Sequence, residues 1–494
     1  MKLKNWQIEM KKIFKDKNVT VMGLGLHGGG VAVVNWLVKH GAKVTVTDLK
    51  TKKELQSSID KIKGEVKYVL GHHQESSFKN ADLIIQNPGV PRQSKYLKVA
   101  KKAGVSIEND ASLFFKYCSA RIIGVTGTRG KSTTSALIYE LLSSSLFCHA
   151  GLDPASHLKN ETVNQVKGDR CKVWLAGLPQ KPMLEILDKV KPNDVVVLEL
   201  SSWQLEIFGE QKLSPHVAVF TNIYPDHLNR YKGMKEYIKA KTNIVLWQNS
   251  DNYSVLNLDN PEIKKIGKIV GSKRFWFSKK YFKEENGCFA KNKSIYLRVN
   301  GSEKKICNLA DVNLFGWHNL ENVMAAISAT STFKISAINI KAVLKSFKGL
   351  PGRLELVKEK NNIKYINDTT ATTPDATISA LKLSKKKNVI LIGGGDTKNI
   401  PDVKYKELAQ VIKKNCKAVI LFSGKGSEQI KKQLKNFKPL VFGVKDMTKA
   451  TGLAKSFSKK GDTILLSPAS ASFNLFVNEF DRGEQFEKII RNLE

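Results

Sequence analysis

The chain is read as an α/β protein of three domains built on doubly wound, mostly parallel sheets, and three observations lead there. At 494 residues it is too long for one hydrophobic core, because single cores stop growing near about 250 to 300 residues. Apolar, β-branched runs alternate with helical patterns along nearly the whole chain, as strands joined by crossover helices require. Those runs, among them NVTVMGLG, KVTVTD, DLIIQN, RIIGVTG, DVVVLELS, VAVFTNI, NVILIGGG, KAVILFSG and DTILLSP, end in small or polar residues, as buried parallel strands do where they enter functional loops. Breaks near Asp110 and Gly349 divide the chain into segments 1–110, 111–349 and 350–494.

Composition narrows the function classes. The net charge of +36 comes from 81 Lys and Arg against 45 Asp and Glu, a balance that suits a polyanionic partner. The lysines, however, are scattered as KK and KKK fragments with no arginine-rich arm, which favours a solvated basic surface over a nucleic-acid face. Six cysteines lack CxxC spacing, so neither a disulfide framework nor a zinc site is expected. The N-terminus lacks the apolar centre of a signal peptide, and no run approaches a membrane span. A cytoplasmic monomer without membrane or nucleic-acid partners is expected.

The first segment opens with Gly23-Leu-Gly25-Leu-His-Gly28 between a strand and the helix GVAVVNWLVKHG. Glycines there let backbone amides approach a diphosphate at a helix N-terminus. Asp48 ends the next strand, where a carboxylate can accept from a ribose or base. Asn87-Pro88-Gly89 follows a later strand and adds a second wall. The motif alone reads as nucleotide or dinucleotide binding, with a ligand-free tight turn as the plain alternative.

The second segment carries the strongest signal, Gly124-Val-Thr-Gly127-Thr128-Arg-Gly130-Lys131-Ser132-Thr133-Thr134, directly after the strand RII. A glycine-rich loop ending in Lys-Ser at a helix start cradles phosphates, brings an ammonium to the β and γ oxygens and offers a hydroxyl to Mg²⁺. ATP and Mg²⁺ are therefore the expected cofactors. Glu199 in LELSSWQLE and Asp226-His227 in TNIYPDHLNRY end later strands. Singly each reads as a cap or a satisfied histidine; beside the phosphate loop they become metal or substrate ligands. In the third segment, NDTTATTPDATISAL lies between the run KYI and a helix expected from Pro374 onward.

The ordered set GTRGKST, LELSSWQLE, TNIYPDHLNRY, AKTNI, FGWHNLENVMAA, LPGRLEL, LIGGGDTKN and LLSPASASFNLF, spread over most of the chain, resembles the Mur ligase family. The resemblance implies a Rossmann-like N-terminal domain for a UDP sugar, a central P-loop ATPase domain and a Rossmann-like C-terminal domain for an amino acid. It also implies an ATP-dependent ligase that joins glutamate to UDP-N-acetylmuramoyl-L-alanine through an acyl phosphate, in peptidoglycan precursor synthesis. On this reading Gly25, Leu26, His27, Asp48, Asn87, Pro88 and Gly89 bind the UDP sugar instead of NAD. Gly127, Thr128, Gly130, Lys131, Ser132, Thr133, Asn319, Asn322, Arg353 and Asp368 serve ATP. Ser132, Glu199, His227 and Lys241, the last as a carbamate, hold metal, with Lys131, His227 and Lys241 the catalytic set. Thr372, Lys398 and Ser472 take the glutamate.

Departures from the family pattern are informative. Where D-glutamate ligases commonly read DSKAT, this chain has Asp368-Thr369-Thr370-Ala371-Thr372, so the lysine is replaced and L-glutamate stands as an alternative substrate. Residues from about 145 to 170 form an insertion expected to be a surface loop, tolerable because closure entropy grows slowly with length. From another class, a non-catalytic basic NTP-binding module is opposed by the retained Lys131, Glu199, His227 and Lys241.

Overall fold

The computed structural model describes residues 3–26, 28–144, 171–178, 181–227, 230–314, 317–384, 386–397, 400–472 and 475–493. His27, Lys398 and the insertion at 145–170 lie outside them. Three sheets carry the chain. The first contains β1 (Asn18–Met22), β2 (Lys43–Asp48), β3 (Lys67–Leu70), β4 (Leu83–Gln86) and β5 (Ser106–Glu108), all parallel, in the order β3-β2-β1-β4-β5. Order reverses between β1 and β4, so the loops after these two strands flank the crevice where ligands of such sheets bind. These are the loops at Gly23–Gly28 and Asn87–Gly89.

The second sheet comprises β6 (Arg121–Thr126), β7 (Val173–Ala176), β8 (Val195–Glu199), β9 (Val217–Phe220), β10 (Tyr253–Asn257), β11 (Lys273–Ser278), β12 (Gly287–Lys291), β13 (Ser294–Val299) and β14 (Ser302–Asn308). Its order is β14-β13-β12-β11-β10-β9-β6-β8-β7. Strand β6 thus sits between β8 and β9, and the phosphate loop, Glu199 and the segment leading to His227 leave the same edge. The third sheet, ordered β15-β16-β20-β17-β18-β19, holds β15 (Glu355–Lys360), β16 (Ile363–Asn367), β17 (Val389–Gly393), β18 (Cys416–Phe422), β19 (Leu440–Val444) and β20 (Thr463–Leu466).

Every strand run read from the sequence is found, and the helix begun by Pro374 spans Pro374–Leu381 with proline in its first turn, where the missing N–H costs nothing. The parallel expectation fails at the edges, where β12 to β14 form an antiparallel meander and β15 pairs antiparallel with β16. Their turns are Asn292-Lys293, Asn300-Gly301 and Asn361-Asn362, all with φ between 48° and 77°, the left-handed pairs that close two-residue hairpins.

The chain forms two compact units, Met1–Asn313 with Trp317–Ser346, and Leu314–Gly316 with Phe347–Glu494. The first two sheets share the former, and one hydrophobic core runs from Met10 through Phe208 to Phe289. Polar ties reinforce that junction. Asp188 accepts from Trp36 Nε1 at 2.7 Å, from His40 Nε2 at 3.1 Å and from Lys39 Nζ, while Asn109 Nδ2 donates to the Gln204 carbonyl at 2.9 Å. Among the described residues no helix is long and apolar enough to cross a membrane.

Candidate active site

The phosphate loop leaves β6 and enters the helix Lys131–Ser144. Gly127 and Gly130 have φ of 149° and 82°, and a Cβ would strike Thr221 Oγ1 at the first and Asn322 Oδ1 at the second. Only glycine lets the backbone lie so close to its braces. One set of braces comes from the end of β9: Thr128 N donates to the Asn222 carbonyl at 2.9 Å, Arg129 N to Asn222 Oδ1 at 2.8 Å, and Thr221 Oγ1 to the Arg129 carbonyl at 2.6 Å. Asn319 and Asn322 lie in the helix Trp317–Thr330, where Asn322 Nδ2 donates to Asn319 Oδ1 at 3.0 Å. Asn322 Oδ1 also accepts from Thr134 at 3.3 Å, so both asparagines back the loop.

Around the loop the predicted ligands converge. Ser132 Oγ donates to Glu199 Oε2 at 2.6 Å, and Lys131 Nζ lies 3.9 Å from Glu199 Oε1 and 3.3 Å from the Thr128 carbonyl. A hydroxyl and a carboxylate in contact form a hard-oxygen pair of the kind Mg²⁺ accepts, with water and phosphate completing its shell. Lys241 is 2% exposed beneath the same loop, donating to the Gly127 carbonyl at 2.9 Å and Thr126 Oγ1 at 3.3 Å. Burial pushes its ammonium well below the usual lysine value and nearby Lys131 pushes further, against Asp226 and Glu199. The lysine is thereby biased toward the neutral amine.

His227 has φ of 54° and packs edge-on against Trp203, ring centroids 5.1 Å apart. Burial lowers its pKa; Asp226 opposes this, and the charges of Lys241, Lys131 and Arg230 add to the lowering. A neutral imidazole is the form that ligates a metal. Among the described residues no group of three or more His, Cys, Asp or Glu side chains gathers into a ready-made metal cage.

In the first sheet Asn87 packs over the glycine turn, its Cβ 2.9 Å from where a Cβ on Gly23 would stand, and its Oδ1 accepts from Gly89 N at 2.9 Å. Leu26 is 48% exposed beside them. Asp48 is turned inward: Oδ2 accepts from Leu24 N at 2.9 Å and Gly25 N at 3.3 Å, and Oδ1 from Lys50 N at 2.9 Å. It shapes the turn through the backbone, a role the sequence reading did not give it. Arg230, which that reading also passed over, joins this wall to the catalytic sheet. Its guanidinium donates to the carbonyls of Pro88 at 2.9 Å and Val90 at 3.2 Å, pairs with Glu206 at 3.0 Å and lies 4.8 Å from the Trp203 ring centre.

In the second unit Asp368 follows β16. Its Oδ2 accepts from Ser467 Oγ at 2.8 Å and its Oδ1 from Leu354 N at 3.2 Å. Burial raises its pKa to about 7 despite these bonds and the neighbouring charge of Arg353. Thr370 Oγ1 donates to the Gly352 carbonyl at 3.0 Å, so it holds the turn that precedes β15. Thr372 is half-buried, and Ser472 is 1% exposed with its Oγ unpartnered. Thr372 and Ser472 are carried by adjacent loops, since Ala469 N donates to the Ala371 carbonyl at 2.8 Å.

Comparison with known proteins agrees with this architecture along the whole chain. Residues 17–109 match the family model for the Mur ligase MurD-like N-terminal domain, 125–330 the Mur ligase middle domain, and 352–470 the Mur ligase glutamate ligase domain. The UDP-N-acetylmuramoylalanine--D-glutamate ligase of Roseiflexus sp. is 36% identical over 96% of this chain and 98% of its own. That of Acetivibrio thermocellus is 34% identical over 98% of each. Among solved structures, MurF ligase from Thermotoga maritima in complex with ADP shares the fold at a TM-score of 0.54 and 18% identity, covering 97% of this chain and 96% of that one. Matched by three of its domain models in order and by full-length relatives above 30% identity, this chain belongs to the Mur ligase family.

Proposed function

We propose that the chain is an ATP-dependent, ADP-forming ligase that joins D-glutamate to UDP-N-acetylmuramoyl-L-alanine. The observation that carries this reading is the convergence of Lys131, Ser132, Glu199 and Lys241 on one phosphate loop. The names of the full-length relatives support the choice of substrates. A carboxylate does not acylate an amine, because oxide is a prohibitive leaving group. ATP removes that obstacle: a carboxylate oxygen of the alanyl group attacks the γ-phosphorus, the bond to the β-γ bridging oxygen breaks, and ADP departs. The amino nitrogen of glutamate then adds to the acyl carbon, and the tetrahedral species expels inorganic phosphate as the amide forms.

Phosphoryl transfer needs position and charge neutralisation more than covalent help. The amides from Gly127 to Lys131, at a helix N-terminus, hold the phosphates, and the Lys131 ammonium neutralises the transferred group. Mg²⁺, held through Ser132 and Glu199 and at a second position through His227 and carbamylated Lys241, would supply further charge neutralisation. Carbamate formation adds CO₂ to a neutral amine with loss of a proton, and Lys241 is buried in surroundings that favour that amine. Arg353 and Asp368 are assigned to the nucleotide, Asn87 to Gly89 with the glycine turn to the UDP sugar, and Thr372 and Ser472, together with Lys398, to glutamate. The three segments 1–110, 111–349 and 350–494 correspond to these three ligands.

The test is phosphate release and product formation by the purified chain with ATP, Mg²⁺, UDP-N-acetylmuramoyl-L-alanine and either enantiomer of glutamate. Turnover with D-glutamate supports the reading; turnover with L-glutamate alone transfers it to the other enantiomer; inertness with both refutes it.

A further inference from the structure

The second unit contains a buried cation that none of these roles uses. Arg482, in the helix Glu479–Arg491, is 0% exposed and heads the fully buried side chains by size. Among the described residues it has no carboxylate at ion-pair distance. Its guanidinium instead donates to neutral oxygens: the Thr369 carbonyl at 2.8 Å, Thr369 Oγ1 at 3.1 Å and the Ser470 carbonyl at 3.4 Å. Burial disfavours this charge, and Glu479, three residues earlier on the same helix, favours it from beyond ion-pair distance; a buried charge without a contacting carboxylate is expensive, and an apolar side chain of similar volume would ordinarily replace it to advantage.

The partners of Arg482 say where its charge acts. Thr369 belongs to the loop that carries Asp368 and Thr372, and Ser470 to the loop that carries Ser472, so one side chain fastens both. Ala469, between them, adopts φ of 58°, a strained conformation that persists only where surrounding contacts over-determine it. Beside this clamp the hydroxyls of Ser470 and Ser472 are buried, 2% and 1% exposed, and among the described residues neither has a hydrogen-bond partner. A Cβ on Gly426 would stand 2.7 Å from Ser470 Oγ, so the backbone is cut back around that hydroxyl. The two loops that Arg482 fastens thus carry two buried hydroxyls left for an anion to engage.

We propose that Arg482 is a positioning and specificity residue of the amino-acid pocket. It fixes the 368–372 and 469–472 loops and supplies the positive field that makes Ser470 and Ser472 hydroxyls selective for a side-chain carboxylate. This deepens the reading of the chain as a glutamate ligase and rests on it. Through the field, the pocket takes a dianionic amino acid in preference to its neutral amide.

The experiment measures kcat and KM for glutamate, glutamine and ATP in the wild-type chain, Arg482→Met, Arg482→Lys and Ser470→Ala, with thermal unfolding of each. Losing a charge-assisted interaction should raise KM for glutamate at least about tenfold in Arg482→Met, while KM for ATP holds within about twofold and the preference for glutamate over glutamine in kcat/KM falls by a similar factor. Arg482→Lys, which keeps the charge without the fork, should recover part of that preference. Should Arg482→Met not fold, Ser470→Ala carries the test, with KM for glutamate raised about fivefold or more. An unchanged glutamate-to-glutamine preference, or equal losses for all substrates, refutes the inference. A wild type inert with both glutamate enantiomers refutes the function itself, which separates the two failures.

Discussion

Asp368→Asn should make the second unit more stable while impairing the enzyme. The carboxyl is buried, and its pKa is raised from 3.8 to about 7. Because the folded state holds its proton more tightly than the unfolded chain, stability is fully present below the unfolded value. It falls as pH rises toward about 7 and is flat above that. At 1.36 kcal/mol per pKa unit, the rise of roughly three units corresponds to about 4 kcal/mol, of which about 1.5 is already lost at pH 5. Asparagine keeps the shape and an acceptor for Leu354 N or Ser467 Oγ but cannot ionise. Between pH 5 and pH 8 the wild type should therefore lose about 3 kcal/mol relative to the variant, or about 8 °C at the roughly 3 °C per kcal/mol typical of a domain this size. Thermal unfolding of both proteins across that range measures the difference directly, since titrations elsewhere cancel. A gap between the two melting temperatures that does not change with pH would show that Asp368 is not the titrating group.

Three further substitutions probe the first unit. Lys241→Arg, which keeps a cation but cannot add CO₂, should lower phosphate release by about 100-fold or more. A carbamate resonance from ¹³C-labelled bicarbonate, seen in the wild type and absent from Lys241→Ala, identifies the species. Asp188→Asn should destabilise the junction of the first two sheets: burial alone would raise this carboxyl, but bonds from His40, Lys39 and Trp36 bring it from 3.8 to about 2. That shift is worth about 2 kcal/mol, present above the unfolded pKa and lost as pH falls through about 2; urea unfolding at pH 7 should show the loss. Arg230→Met should raise KM for the UDP sugar about tenfold, since it releases the Pro88–Val90 wall and leaves the half-buried Glu206 without its arginine, and restoring KM by adding Glu206→Gln would assign the effect to that stranded charge.

Much of the fold was legible because its signals are local. The phosphate loop announces itself since a backbone that approaches Thr221 and Asn322 this closely admits only glycine at 127 and 130. The strand runs show because parallel strands buried on both faces must be apolar throughout. The antiparallel edges were missed although Asn300-Gly301 is among the strongest hairpin signals a sequence offers. There the strand SEKKICN exposes its first four residues, and such a run reads as a charged loop when apolar runs are the guide. Asp48 was placed correctly at a strand end but its direction was not legible, because whether a carboxylate faces a ligand or the amides of its own turn is decided by backbone geometry.

The residues that composition alone hides share a physical reason, whether reached only through the family resemblance, as Lys241 was, or passed over, as Arg230 and Arg482 were. Lys241, Arg230 and Arg482 are three cations among 81, and composition assigns each to the solvated surface. Only the folded chain shows that Lys241 and Arg482 are 2% and 0% exposed and that Arg230 binds the carbonyls of another sheet. Burial converts a common residue type into an informative one, because a desolvated charge must either change its protonation, find partners or serve a ligand. In this molecule the three cations take those three courses in turn. Lys241 tends toward a neutral amine beneath the phosphate loop, Arg230 is paired and strapped to the wall of the first sheet, and Arg482 keeps its charge among neutral oxygens with Glu479 beyond ion-pair distance. The last arrangement gains stability when an anion arrives, so it predicts that glutamate binding should raise the melting temperature of the wild type more than that of Arg482→Met.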